Sequence, residues 1–166
     1  LVVHLDRDAG LAQALLDRLQ QPGLDGPRVG HDEGPGLAQP LYLVAHAGHA
    51  PHTENEKDIE FERAGFGTIG LETELSVAIT ELVNTGLLDW PGLVRKMSLN
   101  PAKILKINKG TLSQGAPADI IVVSPEKEWA VAKEGFISKS KNSAFLGRRL
   151  KGAVEYTILA GKIVYP

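Results

Sequence analysis

The sequence contains no cysteine, so it can form neither a disulfide framework nor a cysteine-ligated zinc site, and any metal ligands would be His, Asp or Glu. Its net charge of -2 lacks the positive excess that would attract nucleic acid or an anionic membrane surface. No apolar run approaches the length of about 18 residues that a transmembrane helix needs. These absences favour a cytoplasmic protein that binds small molecules or other proteins.

Lysine is also absent from residues 1–56, and isoleucine from residues 1–58, although the rest of the chain holds all eleven lysines. This change in composition divides the chain near residue 56. The first segment has three open interpretations: a divergent region, a fused piece, or a stretch translated out of frame. A length of 166 residues fits one domain or part of a larger one.

A histidine-rich turn, His49-Ala50-Pro51-His52-Thr53, follows a pattern of strand, helix and strand. Residues 1–5 and 41–45 are short apolar strand candidates, and leucines at helical spacing lie between them. This order suits a parallel α/β unit, in which ligands bind at the carboxyl ends of the strands. Two imidazoles at such an end could bind a metal or a substrate carboxylate, and a solvated loop is the alternative.

The middle of the chain predicts helices. Residues 64–70 contain three glycines, which either let the backbone approach a ligand or form a surface turn. A helix is predicted over residues 71–88 with Thr73 as its N-cap, and a second follows Trp90-Pro91. Asn100-Pro101 is predicted to break the second helix from a short third one.

The end of the chain predicts a small β layer. Strand patterns cover residues 118–123, bounded by Pro125, then residues 129–131 and 153–159. Ala160-Gly161 is the predicted hairpin turn before a last strand at 162–165. The basic run Ser138–Lys151 is either an anion-binding surface or a solvated loop.

Several short motifs occur in a distinctive order: HAPHT, FGTIGLET, NPAKI, G-x-L-x-x-G-x-x-AD, SKSKN and a terminal G-x-x-V-Y. This order resembles the carboxyl-terminal part of bacterial dihydroorotases, in the amidohydrolase superfamily, from His49 to Tyr165. The resemblance implies an α/β fold: the carboxyl-terminal portion of a distorted (β/α)8 barrel over residues 49–109 and a small appended β domain over residues 110–166. Residues 1–48 match the family poorly and would supply a strand, helix and strand of the barrel.

The resemblance implies zinc-dependent, reversible hydrolysis of L-dihydroorotate to N-carbamoyl-L-aspartate in pyrimidine biosynthesis. Family members place an Asp directly before HAPHT as metal ligand and general base, and Gly48 occupies that position here. Glycine can neither coordinate zinc nor move a proton. The resemblance therefore implies an incomplete chain without an identifiable catalytic residue or zinc ligand. His4, His31 and His46 are predicted to be solvated or structural.

Two substrate-binding elements carry over from the family. His52 matches the histidine that holds the substrate carboxylate, and Phe66 and Gly67 match the pair whose main chain contacts the dihydroorotate ring. His49 matches a family residue to which we assign no direct catalytic role.

Two other hypotheses remain open at this stage. Some dihydroorotase relatives lack metal ligands and associate with aspartate transcarbamoylase, so the loss of the Asp suits a non-catalytic scaffold, and a homo-oligomer is a further expected assembly. A small metal module built from His46, His49 and His52 would need one helical face, which Pro51 disfavours.

Overall fold

The computed structural model describes residues 2–4 and 49–166. The predicted strand at 41–45, together with His31, His46 and Gly48, lies outside the described residues. The described residues fall into two units. The first contains residues 2–4, 90–125 and 154–166, and the second contains residues 49–89 and 126–153.

The elements follow one another as β1 (Val2–His4), α1 (Glu54–Lys57), α2 (Glu74–Ala78), α3 (Trp90–Val94), α4 (Asn100–Ile104), β2 (Ile120–Ala130), β3 (Arg149–Leu159) and β4 (Lys162–Tyr165). π-Helical turns extend α2 through Ile79–Val83 and α3 through Arg95–Leu99. The strands form a sheet in the order β1-β2-β3-β4. Within the described ranges, no helix is both long and apolar enough to cross a membrane.

The first unit combines α3 and α4 with the outer strand pairings. β1 runs parallel to β2, with Val3 opposite Val122. The β-branched run in β2 is buried at Ile120, Val122 and Val123, which explains its strand preference. β3 and β4 form the antiparallel hairpin predicted at Ala160-Gly161, and both turn residues have positive φ, 49° and 79°. Such a turn matches the twist of the two strands.

Two predicted breaks are wrong. The helix continues into α4 at Asn100 without a gap, because the π-helical turn before it widens the backbone and makes room for the ring of Pro101. β2 likewise runs through Pro125, so residues 129–131 do not start a separate strand. β1 pairs with β2 only as far as Val123. Among the described residues, no residue of β1 lies opposite Pro125 to accept the hydrogen bond that the missing N–H would donate.

Thr73 lies at the N-cap position of α2, as predicted, but its side chain makes no capping hydrogen bond. Its side chain is buried, and its hydroxyl donates to the carbonyl of Gly70 at 3.2 Å instead of accepting from a helix amide. The hydroxyl therefore stabilises the turn between the glycine-rich segment and the helix.

The second unit is organised around a small apolar core. Ile69, Val131, Phe136 and Leu150 are buried together, and Val77, Trp129 and Phe145 pack against them. Ile69 belongs to the FGTIGLET motif, and Phe136 directly precedes the segment that contains SKSKN. The core therefore holds FGTIGLET directly and the SKSKN segment through its neighbour Phe136.

At Gly152, β3 lies against the helical segment that contains Ile79 in the second unit. Its φ is +87°, and a Cβ at this position would overlap Cδ1 of Ile79, which is 0% exposed. The Gly152 carbonyl accepts hydrogen bonds from the Ser76 hydroxyl and from Trp129 Nε1, the latter at 3.4 Å. A side chain at residue 152 would push these elements apart.

Candidate functional site

Three motifs that lie far apart in the sequence meet in the second unit. The Ala50 N–H of HAPHT donates to the Thr68 carbonyl of FGTIGLET at 2.9 Å. The Ile69 N–H donates to the Asn142 carbonyl of SKSKN at 3.2 Å, and the Thr68 hydroxyl donates to the same oxygen at 2.8 Å. Backbone pairing thus brings HAPHT, FGTIGLET and SKSKN into one cluster, called the motif corner below.

The Asn142 side chain bridges all three parts of the motif corner. Its Nδ2 donates to the carbonyls of Ala50 at 3.0 Å and Gly67 at 3.3 Å. Its Oδ1 accepts from the N–H of His52 at 3.3 Å. A side-chain amide supplies both donors and an acceptor, so it can satisfy backbone groups that no regular element pairs.

Ser140 and Glu72 hold the SKSKN segment in place. The Ser140 hydroxyl accepts from the His52 N–H at 3.1 Å and lies 2.5 Å from the His52 carbonyl, to which it donates. The Glu72 carboxylate accepts from the N–H groups of Ile137 at 2.8 Å and Ser138 at 3.1 Å. Both hydrogen bonds of Glu72 are made to a charged acceptor, which strengthens them.

A capping box fixes the direction in which the chain leaves HAPHT. The Thr53 side chain accepts from the Glu56 N–H at 3.3 Å, and the Glu56 carboxylate accepts from the Thr53 N–H at 2.8 Å. Hydrogen bonds from the Thr53 backbone and hydroxyl lower the pKa of Glu56. The T-x-x-E spacing is a sequence signal for this motif.

The capping box predicts a pH-dependent contribution to stability. The pKa of Glu56 is lowered on folding, so its contribution is present above its ordinary pKa of 4.5 and disappears as the pH falls through the lower folded value. We expect Glu56→Gln to melt at a lower temperature than the wild type at neutral pH. Thermal melts at a series of pH values below 4.5 should show the gap between the two proteins closing as the pH falls, whereas a gap that stays constant would contradict the prediction.

The His52 ring links HAPHT to the glycine-rich segment. Its Nε2 lies 2.9 Å from the Phe66 carbonyl, which can only accept, so Nε2 carries the proton in this contact. Nδ1 lies 3.7 Å from the Glu56 carboxylate. A Cβ on Gly65 would lie 2.5 Å from Nδ1, so only glycine leaves room for the ring. The His52 side chain remains 24% exposed.

The carbonyls of Gly65, Phe66 and Gly67 all accept hydrogen bonds from side chains. Lys57 Nζ donates to Gly65 at 2.8 Å and to Gly67 at 3.0 Å, and His52 holds the carbonyl between them. Within residues 49–166, by contrast, the N–H groups of Phe66, Gly67 and Thr68 donate to no protein acceptor. The segment therefore contains three consecutive backbone donors without a protein acceptor in that range.

Gly67 is required by its conformation and by its neighbour. Its φ is +118°, and a Cβ would overlap the Cβ of Ala50. Phe66 beside it is 97% exposed, so its main chain rather than its ring is integrated into the motif corner.

A cleft of about 570 Å3 opens beside the motif corner. Its lining residues are His52, Glu54, Lys57, Asp58, Gly67, Thr68, Lys133, Lys141, Asn142, Ser143, Ala144 and Leu146. Lys133 Nζ donates to Glu54 at 2.9 Å, which lowers the pKa of Glu54 and raises that of Lys133. Lys141 Nζ donates to the Phe136 carbonyl at 2.6 Å. The charged groups that line the cleft are thus close to balance, with Lys57, Lys133 and Lys141 opposed by Glu54 and Asp58.

Part of the basic run Ser138–Lys151 is paired within the protein. Arg148 pairs with Glu81, and Lys151 Nζ lies 3.1 Å from the Glu126 carboxylate. These side chains therefore serve internal ion pairs instead of forming a uniform anion-binding surface.

The described residues do not fit a zinc site. No three His, Asp or Glu side chains in residues 2–4 and 49–166 converge on a point that a metal could occupy. The Nδ1 atom of His49 accepts from the Gly70 N–H at 3.3 Å, which gives this histidine a structural partner. His46, the first histidine of the three-histidine module, lies outside the described part of the chain.

The structure brings together the three residues that the sequence selects for substrate binding, His52, Phe66 and Gly67. Sequence reasoning misses the side chains that support them, which are Lys57, Glu72, Ser140 and Asn142. SKSKN stands out as a motif but gives no sign of its partners. Its role emerges only from contacts across some ninety residues.

Known proteins are similar to this chain in sequence and in fold. Residues 67–164 match the family model described as "Amidohydrolase family". A dihydroorotase from Clostridioides difficile is 51% identical over 130 residues, which cover 78% of this chain and 30% of that protein. A dihydroorotase from Geotalea daltonii is 48% identical with the same coverage. The chain thus spans about a third of the length of these relatives and is similar to their carboxyl-terminal part.

Solved structures show the same local fold. An L-hydantoinase (dihydropyrimidinase) from Arthrobacter aurescens is 36% identical, with a TM-score of 0.60 over 63% of this chain and 24% of that one.

Proposed function

This chain belongs to the amidohydrolase family, and from that premise we propose that it forms the substrate-binding end of a dihydroorotase, which interconverts L-dihydroorotate and N-carbamoyl-L-aspartate. The observation that carries the proposal is the motif corner, where His52 and the Phe66–Thr68 amides lie together. The roughly 50% identity to bacterial dihydroorotases supports the choice of substrate. We also propose that the chain forms the end of a (β/α)8 barrel with its appended β domain and that it acts in the cytoplasm.

The chemistry of the motif corner suits this substrate. Dihydroorotate carries ring carbonyl oxygens and one carboxylate, all of which are hydrogen-bond acceptors. The Phe66–Thr68 segment offers amide donors for the ring. Nε2 of His52 is engaged by the Phe66 carbonyl, so the substrate carboxylate would bind at Nδ1, which donates a charge-assisted hydrogen bond when it carries a proton. In this proposal the backbone amides bind the ring of the substrate, and the imidazole binds its carboxylate.

Metal chemistry is not assigned to the described residues. Dihydroorotases use zinc to activate a water, but the part of the chain described here supplies no convergent ligand set. We therefore propose that zinc and the catalytic carboxylate belong to other parts of the full enzyme. Gly48 at the position of the family Asp is the residue that most limits catalysis by this chain as written. Sequencing the source DNA through codons 1–60 tests whether this glycine is genuine.

Ligand discrimination provides the direct test. Dihydrouracil has the ring of dihydroorotate without the carboxylate and is the natural comparison, because hydantoinases (dihydropyrimidinases) share the fold. We expect the chain to bind dihydroorotate at least tenfold more tightly than dihydrouracil, and His52→Ala to remove about tenfold to a hundredfold of the dihydroorotate affinity. Calorimetric or NMR titration measures both constants.

His49→Gln is the matched control, because a glutamine oxygen can still accept from Gly70 while the substitution also removes an imidazole from HAPHT. It should leave the affinity for dihydroorotate within about twofold. Equal binding of dihydroorotate and dihydrouracil by the wild type would reject the proposed substrate and favour a dihydropyrimidinase-like role.

A non-catalytic scaffold is the second candidate, and Gly48 is the observation that favours it. A scaffold of this family would associate with aspartate transcarbamoylase and would neither hold zinc nor hydrolyse dihydroorotate. Co-purification with aspartate transcarbamoylase at a fixed ratio would support this function. Stoichiometric zinc together with turnover would reject it.

A further inference from the structure

We propose that Lys57 is a positioning residue that fixes and polarises the backbone donors of the Phe66–Thr68 segment. The proposal rests on the proposed function and adds a residue to which the resemblance assigns no role. Lys57 lies in the last turn of α1, eight residues before the nearest carbonyl that it binds. It is half-buried at the edge of the cleft.

The argument begins with the two carbonyls that share the Lys57 ammonium. Nζ donates to Gly65 O at 2.8 Å and to Gly67 O at 3.0 Å, so one cation spans a three-residue segment. The carbonyl of Gly65 belongs to the same peptide group as the Phe66 N–H. The carbonyl of Gly67 belongs to the same peptide group as the Thr68 N–H. Each Lys57 hydrogen bond therefore acts on a peptide group whose own N–H remains available to a ligand.

Hydrogen bonding at one end of a peptide group strengthens the other end as a donor, because polarisation passes through the conjugated amide. An ammonium group does this more strongly than a neutral donor. Lys57 thus acts on the donors at Phe66 and Thr68. His52 acts on the peptide group between them, through the Phe66 carbonyl at 2.9 Å.

The supports of Lys57 make the position rigid. The capping box between Thr53 and Glu56 fixes the start of α1. The Gly65 N–H donates to the Glu56 carbonyl at 3.0 Å, which ties the glycine-rich segment to the end of the same helix. The helix and the segment therefore keep a constant separation, across which Lys57 reaches.

Lys57→Met tests the proposal, because methionine keeps most of the aliphatic length and removes the ammonium. In 15N-labelled full chain, we expect the amide nitrogens of Phe66 and Thr68 to move upfield, while Gly67, whose peptide carbonyl is held by His52, moves much less. A purely structural loosening would move all three together. NMR titration should also show the dissociation constant for N-carbamoyl-L-aspartate rising about tenfold.

Lys103→Met is the control: Lys103 is exposed in α4, lies outside the motif corner, and its ammonium forms no hydrogen bond or ion pair with the described residues. It should match the wild type in the three shifts and in affinity. Unchanged Phe66 and Thr68 shifts in Lys57→Met, or changed shifts with unchanged affinity, would overturn the proposal. If the wild type binds no N-carbamoyl-L-aspartate, the proposed function fails separately, and the shift pattern alone decides whether Lys57 holds the segment.

Discussion

Gly152→Ala should lower the free energy of unfolding by about 2 to 5 kcal/mol. A non-glycine residue at φ +87° costs about 1 kcal/mol or more, and the new methyl group would overlap Cδ1 of the fully buried Ile79. Since the carbonyl of residue 152 also accepts from Ser76 and Trp129, a shift of β3 would weaken both hydrogen bonds. Urea denaturation measures the change.

Two further variants separate the causes. Gly147→Ala imposes a similar φ of +79° in the same unit but meets no heavy atom within 4 Å, so it reports backbone strain alone. Ile79→Val removes Cδ1 and costs about 0.5–1.5 kcal/mol by itself. The double variant Gly152→Ala/Ile79→Val should be more stable than the sum of the single changes predicts, since the remaining neighbours of the new methyl lie at 3.3 Å. If the two single losses in unfolding free energy simply add in the double variant, the overlap with Ile79 does not cause the loss in Gly152→Ala.

Gly67→Ala should damage the motif corner, with a loss of about 2 to 4 kcal/mol in unfolding free energy. The φ of +118° is unfavourable for alanine, and the new methyl would overlap the Ala50 side chain. Residue 67 supplies an N–H without an acceptor among residues 49–166 and a carbonyl held by Lys57 and Asn142, so affinity for dihydroorotate should also fall at least tenfold. Denaturation and ligand titration measure the two effects.

Ala50→Gly provides the rescue in this case. The next atoms of residue 50 lie 3.8 Å or more from the new Cβ, so removing the alanine methyl opens the space completely. The double variant Ala50→Gly/Gly67→Ala should regain the packing part of the loss and keep only the backbone part, as in Gly147→Ala. If the double variant is no more stable than Gly67→Ala, the φ of residue 67 accounts for the whole effect.

The sequence predicts the local elements of this protein better than their continuity. The Ile120–Val123 run and the Ala160-Gly161 turn carry strong local signals, and the hairpin is confirmed. Pro101 and Pro125 carry equally strong local signals for breaks, yet both stand inside continuous elements. Their tolerance depends on a π-helical turn in one case and on the end of β1 pairing in the other. Neither condition is visible in a short window of sequence.

The candidate site is predicted only in part, for a similar reason. His52, Phe66 and Gly67 are found because each lies in a motif that resembles a known family. Asn142 and Lys57 are missed because their partners are backbone carbonyls, and a carbonyl leaves no mark on the sequence. The glycines next to Phe66 are the indirect trace: Gly65 makes room for His52, and Gly67 makes room for Ala50.

The bridge made by Asn142 has a consequence for the order of assembly. Its side chain joins Ala50 across 92 residues of sequence, so the corner cannot close while the ribosome is still adding the intervening chain. Closing so long a loop costs conformational entropy before any contact repays it, and long-range contacts slow folding. During synthesis, HAPHT can therefore form its contacts with SKSKN only after SKSKN has been added to the chain. A nascent chain stopped before residue 142 would hold the histidines but not the shape that orients them.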